Sequence, residues 1–355
     1  MKILRTILLV INVILIVALL LTTFGSDVAP STSVWPGLFA YGYLPLLALN
    51  VIMALVWLLM HRWQFLLSVA AIAVRYTMLP LFFQVSGTAK VPAAEEHPSM
   101  VTVMTHNVRL FRGAEANEAQ TDSNALEFMA IVREYNPDVL CLQEYGATKR
   151  VRLTDSLMLM GFNHYYGTNT SADGLPWGTV IFSRHPITYV NRIDGDKLLA
   201  ELMLDGRRFR VCNVHMDSYS LDEQDFEEIE RVRHGDVKHT TGRTLAKVKE
   251  TVLNHEREWN HGLKPMVEEC TLPLLLAGDM NDIPGSWLYG QMSDRLADTY
   301  CDKGLGYVTT WGSGLLRVRI DMLFHSEGFR TLSYRRIRTD ISDHCPVFAS
   351  LELEP

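Results

Sequence analysis

Hydrophobic positions follow two different patterns along this chain. Up to about residue 83 they run together in long blocks; beyond residue 99 they form short runs closed by polar and turn residues. The first block, residues 6–24 (TILLVINVILIVALLLTTF), has no charged side chain and is long enough to cross a bilayer core as a helix. A cleaved signal peptide competes with that reading, because Lys2 and Arg5 precede the block. Its apolar region is too long for one, however, and no small-x-small cleavage site follows. Residues 37–60 predict a second span and residues 64–83 a third. The third contains Arg75, a charge that costs about 2.5–3.5 kcal/mol at mid-helix. Such a residue snorkels, pairs within the bundle or marks a segment that does not cross; crossing is the expectation adopted.

Basic residues set the topology. Lys2 and Arg5 place the N-terminus inside, the loop 25–36 without Lys or Arg outside, and His61 with Arg62 inside again. Three crossings put residues 84–355 outside the cytoplasm, and two would put them within it.

Residues 84–98 (QVSGTAKVPAAEEHP) read as a linker between the membrane segment 1–83 and a domain at 99–355. In that domain VTVMTHNVRLF (101–111) predicts a strand, SNALEFMAIVREY (123–135) has helical spacing stopped by Asn136–Pro137, and DVLCLQE (138–144) is a buried strand. Residues 198–218 predict a hairpin turning at Asp205–Gly206. Residues 221–260 are charged and helical in character; 274–281, 317–326 and 347–353 are further strands. Strands outnumber the helices between them, which predicts two packed sheets with helices outside, an α/β architecture.

Charge separates the same halves. Of 33 basic and 40 acidic residues, only five and three fall in 1–98, leaving 28 basic and 37 acidic in 99–355. The five cysteines include no CxxC pair, and neither a disulfide framework nor a zinc site is expected.

Several strands end on groups that a core would not select. LLLAGDMND (274–282) closes on Asp279, Asn281 and Asp282; Asn107 ends the first strand and Glu144 the second. Alternation puts Asn213, His215 and Asp217 on one face, Asp321 interrupts RIDMLF, and Asp343–His344 precede a proline. Singly, each fits a turn cap, a helix start or a hydrogen-bonded core histidine. Jointly they suit hydrolysis at phosphorus. Carboxylate and amide oxygens are hard ligands for Mg²⁺ or Mn²⁺, and histidine handles protons near neutral pH. The chain has no HExxH, no Gly-rich phosphate loop and no GxSxG elbow.

THNV (105–108), LQE (142–144), GTVIFSRHPI (178–187), NVHMDS (213–218), GDMND (278–282), RID (319–321) and SDHCP (342–346) occur in that order. In this the chain resembles the endonuclease/exonuclease/phosphatase superfamily, which includes deoxyribonucleases, apurinic-site endonucleases, inositol polyphosphate 5-phosphatases and neutral sphingomyelinases. The resemblance covers nearly all of 99–355 and none of the membrane part. It implies a four-layer α/β/β/α sandwich with the site at one end of the sheets. It also implies that Glu144 is the principal metal carboxylate, with Asn107 and Asp343 nearby, and that Asp279 orients or deprotonates the attacking water. Asn281 would hold the phosphoryl oxygens; His344, oriented by Asp321, would stabilise the phosphorane; His215 would contact the phosphate or assist the leaving oxygen. One position departs from the pattern: two residues after Asn107, apurinic-site endonucleases carry an acidic residue, and this chain has Arg109.

The expected activity is metal-dependent hydrolysis of a small or lipid-linked phosphoester by a protein tethered to the lipid bilayer. A nuclease acting on DNA or RNA is the alternative within the class. A non-catalytic receptor on the same fold is the alternative outside it, and retention of Glu144, Asp279 and His344 speaks against decay.

Overall fold

The computed structural model describes residues 2–85, 87–93, 95–112, 118–146, 148, 150–220, 225, 242–313 and 316–354. They fall into two compact units. One comprises Met1–Phe82, Ser218–Arg257 and Ile283–Gln291; the other comprises Phe83–Asp217, Glu258–Asp282 and Met292–Pro355.

In the N-terminal unit, α1 (Lys2–Leu21) runs on into a 3-10 turn, and the 24 residues Lys2–Gly25 are long and apolar enough to cross a bilayer. The second expected span is broken: α2 (Trp35–Tyr41) and α3 (Tyr43–Leu59) meet at 63°, and only the pair together has the length of a crossing. The third is not one continuous helix either. Helix α4 (Phe65–Val74) has 10 residues and stops at Arg75, where the 3-10 helix Tyr76–Leu81, with Pro80 inside it, takes over. Polar pairs explain the stop. The Arg75 guanidinium donates to the hydroxyl and the carbonyl oxygen of Thr22, both at 3.3 Å, and the Arg75 carbonyl accepts from the Tyr43 hydroxyl at 3.1 Å. Deeper in the bundle, Ser68 Oγ donates to Asn12 Oδ1 at 2.7 Å and Asn50 Nδ2 to the Leu15 carbonyl at 3.1 Å. Arg75 therefore lies level with the C-terminal end of α1 and not with its middle. In the same unit, the Ser31 amide and hydroxyl both donate to the Glu256 carboxylate at 2.6 Å, tying the loop after α1 to the helix Gly242–Glu258.

Among the described residues of the other unit, twelve strands form two six-stranded sheets. Along the chain they are β1 (Met100–Asn107), β2 (Val139–Tyr145), β3 (His164–Thr170), β4 (Pro176–Ser183), β5 (Ile187–Arg192), β6 (Lys197–Leu204), β7 (Arg207–His215), β8 (Leu274–Asp279), β9 (Ala297–Asp298), β10 (Asp321–His325), β11 (Phe329–Arg336) and β12 (Val347–Leu353). One sheet has the order β11-β12-β1-β2-β4-β3, the other β9-β10-β8-β7-β6-β5. Each has a parallel pair at its centre, β1 with β2 and β7 with β8, flanked by antiparallel neighbours.

Alternation along the strands assigns their faces. Val101, Val103, Val139 and Cys141 from one sheet pack on Phe209, Val211, Leu275, Ala277 and Leu323 from the other, forming the central core. The opposite face of the first sheet (Met104, Leu140, Val180, Phe182) buries Phe128 and Val132 of α5 (Glu118–Tyr135) and Leu157 of α6 (Leu153–Leu159). On the far side of the second sheet, Leu199 and Arg210 face Gly262 and Met266 of the helical segment Trp259–Glu268 across a cleft. The layering is helix, sheet, sheet, helix. The five cysteines are free, and burial pushes the Cys212 thiol up to about 12.

Near one end the core turns polar. Asn213, fully buried on β7, donates from Nδ2 to the Leu142 and Val180 carbonyls at 3.0 and 2.8 Å, and its Oδ1 accepts from Gln143 Nε2 at 2.6 Å. All three bonds cross between the sheets. Asn213→Ala should lower the unfolding free energy of the full-length protein by about 2–4 kcal/mol, since it strands buried partners on both sheets. Chemical denaturation in detergent measures this, and a loss below about 0.5 kcal/mol would show that the bridge is dispensable.

Candidate active site

Beyond Asn213 the four central strands end together, and their last residues meet. Asn107 closes β1 on the inner face. Its Nδ2 donates to Glu144 Oε1 at 3.0 Å and to Asp279 Oδ2 at 3.1 Å, joining carboxylates from two sheets. Its Oδ1 accepts from the Arg109 amide at 3.0 Å. That bond holds a strained turn in which Arg109, Leu110 and Phe111 all take positive φ.

Glu144 reaches the site through a break in the strand. Gln143 points inward to Asn213, so strict alternation would turn Glu144 outward. A register shift against β4 between Leu142 and Tyr145, with φ of 48° at Glu144, re-aims the side chain inward. The Glu144 side chain keeps 40% exposure, whereas that of Asp279 keeps 1%.

Asp279 is the hub. Its Oδ1 accepts the Asn281 amide at 2.9 Å; its Oδ2, besides Asn107, lies 3.9 Å from His215 Nε2 and 3.7 Å from His344 Nε2. His215 Nε2 is equally 3.9 Å from Glu144. Asn281, in the left-handed region with φ of 46°, ties its Nδ2 to the Met216 carbonyl at 2.9 Å.

Asp321 pairs in register with Asp279 across β10 and β8, is fully buried, and accepts from His344 Nδ1 at 3.0 Å. The Thr310 hydroxyl accepts the Ile320 and Asp321 amides, fixing this strand start. Burial alone would lower the His344 pKa, but Asp321 and then Asp279 outweigh it and hold it up at about 10. His344 is thus an imidazolium between two carboxylates. His106, a few ångströms away in the wall, is its opposite. Burial takes its pKa down to about 3, so the neutral ring donates Nε2–H to the His344 carbonyl at 3.1 Å.

Seven of the eight residues expected from the sequence are brought together in this way: Asn107, Glu144, His215, Asp279, Asn281, Asp321 and His344. Asp343 is turned aside. Its Oδ2 accepts from Arg109 Nη1 at 3.1 Å and from Trp311 Nε1 at 3.2 Å, and Ser342 Oγ lies 3.4 Å from its Oδ1. The sequence assigns no role to Gln143, Thr310 or Ser342, whose hydrogen-bond partners only the fold brings beside them; Ser342 donates to the Asn107 carbonyl at 2.8 Å.

Two groups of residues offer ligands to a cation. Asp279, Asp321 and His344 present ligand atoms within 4.8 Å of one another. In this trio His344 Nδ1 already serves Asp321, and the Asp279 and Asp321 side chains are almost wholly buried, which leaves a hydrated cation little access. Glu144, a partly exposed carboxylate beside a second carboxylate and an amide, fits a hard divalent cation better.

A family model described as the Endonuclease/Exonuclease/phosphatase family matches residues 104–344, and a second, described as a domain of unknown function, matches residues 5–82. No curated protein matches the chain. Similar solved structures include an endonuclease/exonuclease/phosphatase from Beutenbergia cavernae (19% identity, 72% of each chain, TM-score 0.47). Another from Bacteroides vulgatus shares 16% identity over 72% of this chain and 100% of its own, TM-score 0.48. The human Nocturnin catalytic domain shares 16% over 72% and 94%, TM-score 0.48.

Titration of Mg²⁺ or Mn²⁺ into the full-length protein distinguishes the two cation seats. Glu144→Gln should weaken binding at least about tenfold, and Asp321→Asn should leave it within about threefold of wild type. The reverse ranking would move the ion to the Asp279–Asp321–His344 trio.

Proposed function

Because the chain belongs to the endonuclease/exonuclease/phosphatase family, we propose that it is a divalent-metal-dependent phosphoric ester hydrolase held at a membrane by its N-terminal helices. The observation that carries this reading is the setting of Asp279, a buried carboxylate gripped by the Asn107 amide and facing the His344 imidazolium. Phosphoryl transfer needs positioning and charge neutralisation more than covalent help, and this arrangement supplies both.

In the reaction proposed, Asp279 orients a water for in-line attack at phosphorus and takes its proton. Asn107 and the Asn281 amide fix that carboxylate in place. His344, kept charged by Asp321, neutralises the oxygens of the phosphorane. His215, between Glu144 and Asp279, contacts the phosphate or assists the leaving oxygen. Mg²⁺ or Mn²⁺, held at Glu144 with Asn107 beside it, would supply Lewis-acid charge to the phosphoryl oxygens. Asp343 would join as a ligand on release from Arg109.

The substrate proposed is small or lipid-linked. Residues 99–355 carry 37 acidic and 28 basic side chains, so their summed field opposes a long polyanion such as duplex DNA.

The catalytic half is proposed to lie outside the cytoplasm. Lys2 and Arg5 keep the N-terminus inside, so the loop after α1 emerges outside. Ser31 of that loop bonds Glu256, and two groups that share hydrogen bonds share a compartment. Arg75 at the level of Thr22 supports α4 with its 3-10 extension as the returning span.

Glu144→Gln, Asp279→Asn and His344→Ala should each lower kcat at least about a hundredfold in the full-length protein, with EDTA abolishing and Mg²⁺ or Mn²⁺ restoring wild-type turnover. Turnover at the wild-type level in all three variants would sink the mechanism.

A reporter fused after residue 98 should behave as exported, and one fused at His61 as cytoplasmic. Export of both would leave α1 as the one crossing before residue 84. Cytoplasmic behaviour of the first would mean that segment 64–83 does not cross and that the catalytic half lies in the cytoplasm.

A further inference from the structure

Beside Asp343 and His344 opens a cleft of about 530 Å³, within the range of small-molecule sites, and the mechanism above gives no part to its Arg317, Arg336 and Arg338. Arg109, Arg317, Arg336, Arg338, Trp311 and Asp343 are among its lining residues. Its walls are fixed by backbone pairing to the reacting residues. A two-stranded hairpin, Trp311–Ser313 with Leu316–Val318, sets Arg317 opposite Gly312, and Trp311 bridges to His344. Arg336 ends β11, and the Ile337 amide donates to the Pro346 carbonyl, binding this edge to the loop that carries His344.

Four arginines line this space together with Asp340 and Asp343. Arg109 pairs with Asp343 at 3.1 Å. Arg336 Nη1 touches the Cys345 sulfur at 3.7 Å, and among the described residues the guanidinium groups of Arg317, Arg336 and Arg338 have no carboxylate partner. From the sequence, Arg335, Arg336 and Arg338 read as one solvated edge. The structure separates them: Arg335 lies over the Tyr135 ring, while Arg336 and Arg338 turn to the cleft. Three arginines without a carboxylate partner on one concave surface favour an anion between them. Their planar forks match the oxygens of a phosphate.

We infer that the substrate carries a second phosphate, a phosphomonoester that Arg317, Arg336 and Arg338 seat in this cleft while the scissile ester lies at Asp279 and His344. The inference rests on the hydrolase reading and adds to it the class of substrate: a small molecule or lipid head group bearing two phosphorus centres. Trp311 closes one wall and holds Asp343 by its indole N–H, so the cleft and the reacting end share a residue pair.

Two matched p-nitrophenyl phosphodiesters test it, one with a 3-hydroxypropyl and one with a 3-phosphopropyl group. In both, water adds to phosphorus, the P–O(aryl) bond breaks and p-nitrophenolate leaves. The full-length protein should prefer the phosphorylated ester by about tenfold or more in kcat/KM, carried by KM. In the triple variant Arg317→Gln, Arg336→Gln, Arg338→Gln that ratio should fall to about one. A ratio near one in wild type, or an undiminished ratio in the variant, would overturn the inference. Competition identifies the carrier. Inhibition by phosphatidylcholine vesicles containing phosphatidic acid, and not by glycerol 3-phosphate, assigns a lipid-borne phosphate; the converse assigns a soluble one; inhibition by neither counts against the cleft. Hydrolysis of neither ester by wild type would defeat the hydrolase reading alone. Calorimetric binding of inorganic pyrophosphate in EDTA then decides the cleft: loss of binding in the triple variant supports it, and equal binding in both proteins refutes it.

Discussion

Asn213 reaches from one sheet to two carbonyls of the other and receives the Gln143 amide in return. Apolar packing between twisted sheets fixes their separation but tolerates sliding, because it has no direction. Hydrogen bonds between buried groups do not tolerate it. This bridge lies one residue pair below the site on β7 and one residue before Glu144 on β2, so it sets how the two strand ends face each other. Asn107 repeats the device at the surface, with its Nδ2 between a carboxylate from each sheet. The reacting groups inherit their spacing from these two amides.

Two parallel strand pairs supply the convergence. A parallel pair ends both strands at the same edge, so β1 and β2 deliver Asn107 and Glu144, and β7 and β8 deliver His215 and Asp279. The antiparallel strand β10 enters where β8 leaves, which puts Asp321 across from Asp279. Two buried histidines at the site, His106 and His344, then show how placement decides charge. His106 has only a carbonyl as partner and stays neutral, whereas His344 has two carboxylates and stays charged. In the reaction proposed above, a positive group already held in place would serve the phosphorane without reorganisation.

The N-terminal unit follows the same economy of polar groups. Its helices bury Asn12, Asn50, Ser68 and Arg75, and these form contacts with α1 or with the turn that ends it. Such buried pairs register the helices against one another. Arg75 is held by Thr22 at the end of α1.

Local periodicity determined much of this protein. The long apolar blocks, the strands expected within 101–111 and 274–281, the hairpin at Asp205–Gly206 and the polar residues closing the strands are written in near-neighbour spacing, which short-range backbone geometry obeys. The family resemblance named the members of the site from their order along the chain. What alternation could not reveal was that Glu144 points inward, because a bulge breaks the period-2 rule at that residue. Nor could it find Gln143 and Thr310, whose partners lie on other strands, or the turning of Asp343 toward Arg109 and Trp311. Arg75 and the run Arg335–Arg338 make the same point for charge. Composition states that the charges exist, but their meaning depends on which groups from distant parts of the chain stand within a few ångströms. Spacing along a strand is local and is carried by the sequence; the partner of a buried polar group is set by how the sheets and helices pack.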